Sequence, residues 1–106
     1  MIVTSGDEVS GYTIVKYISI VQGIVVRTPH TGQGMVDRLK QAVGNIEAQA
    51  HVCENARKDA FTRMVNMATQ IGADGIIGFR YDTTIITHDH FTEILAYGTA
   101  VKLKIN

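Results

Sequence analysis

From Glu47 to Ile71 the chain repeats apolar residues at the spacing of one helical face: Val52, Ala56, Ala60, Phe61, Met64, Val65, Ala68 and Ile71. Glu54, Lys58, Asp59, Thr62, Asn66 and Gln70 fall opposite them. Asn45 is suited to cap the N-terminus, with Glu47 in the first turn, and Gly72 to end the helix in the left-handed conformation. At 1.5 Å per residue this helix would be roughly 37 Å long, enough to cross a whole sheet. A chain of 106 residues has room for one such layer and little else. The rest must therefore supply the surface on which it lies, with Phe61 and Met64 facing that surface.

Three segments have the composition of strands. Tyr12 to Val26 is rich in β-branched and aromatic residues, and Ile14, Lys16, Ile18 and Ile20 alternate with Thr13, Val15, Tyr17 and Ser19. Gly23 interrupts it and predicts a bulge, a bend or the close approach of another backbone. Gly75 to Ile86 and Phe91 to Ile105, joined by Thr87-His88-Asp89-His90, read as an antiparallel hairpin. Gly72 to Gly78 reads as a helix cap and a tight turn into the hairpin, with Asp74 in the turn and Gly78 allowing close packing. Between the first strand and the long helix, Arg27 to Gly34 carries the only proline and reads as a loop. A short helix is expected from about Gly34 to Val43, stopping at Gly44.

The expected fold is α+β: one domain over residues 1–106, an antiparallel sheet with one long and one short helix on one face. That arrangement leaves apolar side chains over. Ile24-Val25-Val26, Ile76-Ile77, Ile85-Ile86 and Ile94-Leu95 are apolar on both strand faces, and one long helix covers only one of them. Neighbouring copies are the simplest cover, so a closed homo-oligomer is expected, with Ile76-Ile77 and Ile85-Ile86 losing surface to it.

The charge balance narrows the partners. Ten Lys and Arg against ten Asp and Glu give a formal net charge of zero, without the positive field that attracts nucleic acid or anionic lipid. The most apolar stretch, Ile18 to Val26, is far shorter than the roughly 20 residues of a membrane helix. The single Cys53 cannot form a disulfide within the chain, and the first residues carry no signal-peptide pattern, so the expected compartment is the cytoplasm.

Several motifs, in order and spacing, resemble the YbjQ-like family, a bacterial and archaeal family often labelled heavy-metal-binding. They are Thr4, Gly11-Tyr12-Thr13-Ile14-Val15 with Tyr17, Val21 and Gly23, then Ala56-Arg57 with Ala60, Gly72-Ala73-Asp74-Gly75-Ile76-Ile77-Gly78 with Tyr81-Asp82, and Gly98-Thr99-Ala100-Val101. The resemblance covers almost the whole chain. It implies an α+β subunit assembled into a ring, usually a pentamer. The chain departs from the family pattern at Ile24, where an acidic residue is common, and at Val43-Gly44 and Gln49-Ala50, where a glycine pair and a Tyr-Glu step are common.

Few residues are arranged for chemistry. His51 and Cys53, at i and i+2 on a helix, point to opposite sides and cannot chelate one ion within a subunit. His88 and His90 at the hairpin tip can share a face, which makes them the candidate ligands for a divalent transition metal, although a structural zinc site needs four ligands. The same segment also reads as a solvated turn. Thr31-Gly32-Gln33-Gly34, with Arg27 and His30 nearby, has the order of an anion-binding loop or of an ordinary one. Ser5, Ser10 and Ser19 lie in no nucleophile motif, and Asp82 and Glu93 are placed to face each other across the hairpin. These residues support a homo-oligomeric binding or scaffold module. The other readings are an enzyme with its site between subunits, and a purely structural or partner-binding ring.

Overall fold

The computed structural model describes residues 1–27, 46–86 and 91–106, with the side chains of 46–54 and 86 outside that description. The described elements are β1 (Ile2–Val3), β2 (Tyr12–Arg27), α1 (Ile46–Gln70), β3 (Gly75–Ile86) and β4 (Phe91–Ile105). The expected loop beyond Arg27, the short helix at Gly34–Val43, the Asn45 cap and the Thr31–Gly34 loop lie outside the described residues.

The strands form one sheet in the order β1-β3-β4-β2. β3 and β4 are antiparallel and meet at the pair Ile86 and Phe91, as the hairpin reading requires. β2 runs antiparallel to β4 along its whole length, with irregularities between Ile14 and Lys16 and between Tyr17 and Ser19. One edge departs from the expected all-antiparallel sheet, because β1 pairs parallel to β3 through Ile2 with Gly75 and Val3 with Ile76. The physical reason lies in the backbone past β1. Thr4 donates to the Ile76 carbonyl, while Phe79 donates to Thr4 and Gly78 to Gly6, so the N-terminal segment continues along β3. β3 absorbs the join with a bulge between Ile77 and Arg80, where Gly78 takes a positive φ of 62°. A Cβ on Gly78 would meet nothing, so its role is this conformation and not the close packing expected of it. Close packing belongs to Gly98, where a Cβ would lie 2.5 Å from Ile76 Cγ2.

α1 covers one face of the sheet. Ala56, Ala60, Met64 and Ala68 are buried at four-residue intervals against Val21, Val25, Ile76, Ile94, Ala96 and Ala100. The small alanines let the helix axis approach the strands. Phe61 is half-buried at the margin of this core, its ring edge-on to Phe79 at 5.6 Å. The helix ends in a Schellman motif: Ala73 N–H donates to the Ala68 carbonyl and Gly72 N–H to that of Thr69, with Gly72 at φ 79°. Asp74 then fixes the turn into β3. Its carboxylate accepts from the Leu103 N–H at 3.0 Å and faces Lys102 at 3.8 Å.

Candidate functional site

The face of the sheet away from α1 carries the unmet surface. In β2, Val21, Gly23 and Val25 turn toward the helix, so the alternation puts Ile20, Gln22, Ile24 and Val26 on the other side. The register extends each of these across the sheet. Ile20, Thr99 and Ile77 form one row, Gln22, Tyr97 and Arg80 the next, then Ile24, Leu95 and Asp82, and finally Val26, Glu93 and Thr84. The last two rows run from apolar at β2 to polar at β3. Ile20 is 69% exposed, Ile24 38% and Val26 51%, a largely apolar lane along an edge strand, interrupted by Gln22. Tyr17, 65% exposed, extends it toward the N-terminal end.

Ile76 and Ile77 do not belong to this lane. Both are already buried within the subunit, Ile76 in the core under α1 and Ile77 at 7% exposure, so the expectation that they lose surface to a neighbour is corrected. Ile85 remains exposed, and the side chain of Ile86 is outside the described residues.

The same β2 edge is tied to α1 by two arginines. Arg27 donates to Asp59 at 2.9 Å, and Arg63 Nη1 donates to the Ile24 carbonyl at 2.7 Å. On the other edge Arg80 Nη1 donates to the carbonyls of Ser5 and Phe79, both at 2.8 Å, which holds the N-terminal segment in place.

A second feature was not legible in the sequence. An open cleft of about 510 Å³ lies between Asp7, Glu8 and Val9 on one side and Tyr12, Thr13, Ile14 and Tyr17 on the other. It exists because the turn at Gly11, with φ 82° and a bond from Tyr12 N–H to the Val9 carbonyl, brings the chain back beside β2. Four-residue turns of this kind leave no periodic signal.

Most of the residues singled out for chemistry lie outside the described residues, or have side chains that do. His88, Asp89 and His90 lie outside the described residues, as does His30, and the side chains of His51 and Cys53 are outside them too. Asp82 and Glu93 are not opposite each other: Asp82 pairs with Leu95 and Glu93 with Thr84, so the two carboxylates stand diagonally on one face. Ser19 Oγ donates to the Ile20 carbonyl. Among the described residues no three His, Cys, Asp or Glu side chains converge, and no polar or charged side chain is buried. Among the described residues, then, no set of side chains would hold a metal ion. Among them, too, no helix is long and apolar enough to cross a membrane.

Known proteins place the chain. It is 46% identical over 102 residues to a UPF0145 protein of Legionella pneumophila (strain Corby), covering 95% of this chain and 96% of that protein. It is 40% identical over 105 residues to a UPF0145 protein of Thermotoga maritima, covering 98% of each. The fold is similar to the crystal structure of a protein of unknown function, of the DUF74 family, from Pediococcus pentosaceus, with a TM-score of 0.64 at 20% identity over 98% of each chain. The family model described as "Putative heavy-metal-binding" matches residues 1–104, and with relatives this similar over nearly the whole length, the chain belongs to the YbjQ-like family.

Proposed function

We propose that this protein is a homo-oligomeric binding or scaffold module of the cytoplasm, a ring of single-domain subunits with five copies favoured, and that it binds a divalent transition metal through His88 and His90. The observation that carries the assembly is the apolar lane of Ile20, Ile24 and Val26 on the sheet face that α1 leaves open. Three exposed large aliphatic side chains on one face of a strand favour a covered face, because their contact with water is unfavourable by roughly 25 cal/mol for each Å² exposed. A head-to-tail contact repeated around an axis closes into a ring. The description of the family as heavy-metal-binding supports the metal part of the reading. His88 and His90 supply two imidazoles per chain, and a ring repeats them, so an ion shared between subunits gains the ligands that one chain lacks.

Size-exclusion chromatography with light scattering tests the assembly. The expected result is one species of several subunit masses at micromolar concentration, shifted toward monomer by Ile20→Lys. A stable monomer in the unsubstituted protein would overturn it. An interface enzyme is the outcome indicated by a co-purified small molecule at the subunit contact, and a purely structural ring by an assembled protein without metal affinity.

A further inference from the structure

We infer that Arg63 is an edge guard: by occupying the Ile24 carbonyl it closes that part of β2 against strand addition by a further copy of this chain. The backbone geometry follows from one bond and the register. Asn106 N–H donates to the Gly11 carbonyl at 3.1 Å, so the even-numbered residues of β4 exchange hydrogen bonds with β2. β4 continues without a bulge to Gly98, Ala96 and Ile94, which pair with Val21, Gly23 and Val25. The residues between, Ile20, Gln22, Ile24 and Val26, direct their N–H and C=O groups away from β4. Among the described residues that side is the open edge of the sheet, since β2 is last in the strand order. Three of these four residues with edge-facing backbone groups, Ile20, Ile24 and Val26, also carry the apolar lane.

An apolar, unpaired edge is a template for another strand, and a second copy offers the matching strand, β2 itself. Two features of the chain oppose that addition. The irregularities at Ile14/Lys16 and Tyr17/Ser19 break the regular spacing of the first half of β2. In the second half Arg63 places a charged donor where an incoming strand's N–H would have to bond, and the Arg27–Asp59 pair stands one turn of α1 away at 2.9 Å. Arg63 can reach the edge because Gly23 lets α1 lie directly on β2, with a Cβ there falling 2.9 Å from Arg63 Cβ. The guard would confine contacts between copies to the sheet face and leave the edge unused.

The test is Arg63→Met, which keeps an apolar stem of similar reach and removes the donor. Sedimentation velocity over a concentration series should show species larger than those of the unsubstituted protein, appearing at about tenfold lower concentration, the effect of removing one charge-assisted bond that competes with association. Gln22→Pro in the same background should reverse this, since it deletes an edge-facing N–H and leaves the bonds to β4 intact. Identical sedimentation for Arg63→Met and the unsubstituted protein, or larger species that persist with Gln22→Pro, would overturn the inference. The comparison does not depend on the ring: if the unsubstituted protein were a monomer, the proposed assembly would fail while the guard remained open to this test.

Discussion

Gly23 of β2 lies against the main chain of α1, so that a side-chain carbon there would fall within the van der Waals envelope of the Ala60 carbonyl oxygen and 2.6 Å from the Met64 nitrogen. Both obstructing atoms are backbone and cannot rotate away. The helix is pinned at this point, and Gly23→Ala is expected to lift it from the strand, at a cost of about 3 kcal/mol or more. Gly6→Ala is the control, because its new carbon would meet nothing nearer than Thr4 Oγ1, at 3.6 Å. Urea denaturation of both variants checks the contrast, and equal stabilities would refute the close contact.

Met64 and Phe61 separate the centre of the core from its margin. Met64 is fully buried among Val21, Ala96 and their neighbours, and Met64→Ala should cost about 2–5 kcal/mol. Phe61 meets Phe79 edge-on, and Phe79 in turn meets Tyr81 at 4.8 Å. A double-mutant cycle with Phe61→Leu and Phe79→Leu should return a coupling of about 0.5–1.5 kcal/mol. Additive losses would mean that the two rings do not support each other.

The turn after α1 depends on Asp74 more than on its ion pair. The Leu103 N–H bond at 3.0 Å ties the turn to the end of β4, whereas Lys102 stands at 3.8 Å and both side chains are 45% exposed. Asp74→Ala is expected to lower stability by about 1–2 kcal/mol, and Lys102→Ala by less than about 0.5 kcal/mol. Thermal unfolding at two salt concentrations distinguishes the terms, since only the ion pair is screened.

These residues also mark what a sequence can disclose. The long helix was legible because its apolar face repeats over seven turns and ends at Gly72, and α1 spans Ile46–Gln70 against the expected Glu47–Ile71. The hairpin was legible because β-branched runs flank a polar join, and Gly23 because a strand glycine has few reasons to be there. β1 was not legible: two residues, Ile2 and Val3, carry no period, and their parallel pairing depends on backbone bonds to β3. The same blindness made Ile76-Ile77 look like surplus surface, since nothing local tells that the chain's own N-terminus runs beside them. The apolar lane was half legible. The sequence gives apolar residues on both faces of β2, but only the register shows that Ile20, Ile24 and Val26 share the face opposite α1. The cleft beside Asp7 and Tyr12 is made by a turn, and a turn of four residues has no periodicity to read.

Metal affinity, under the reading proposed above, belongs to the imidazoles and not to the thiol. His88 and His90 stand two apart between the paired residues Ile86 and Phe91, whereas Cys53 is the only thiol in the chain. Imidazole binds a metal only when neutral, so affinity should be full above the histidine range and fall as pH drops through about 6.5. The double substitution His88→Ala with His90→Ala should abolish zinc or copper binding, and Cys53→Ser should leave it largely intact. Because any thiol contribution would persist to a different pH, isothermal titration at about pH 7.5 and pH 5.5 separates the two ligand types. If the ion is shared around a ring, Ile20→Lys should weaken binding as well, by dispersing the subunits that supply the remaining ligands. Binding that survives the double histidine substitution, or that disappears with Cys53→Ser, would place the ligands elsewhere and leave the hairpin tip as a solvated turn.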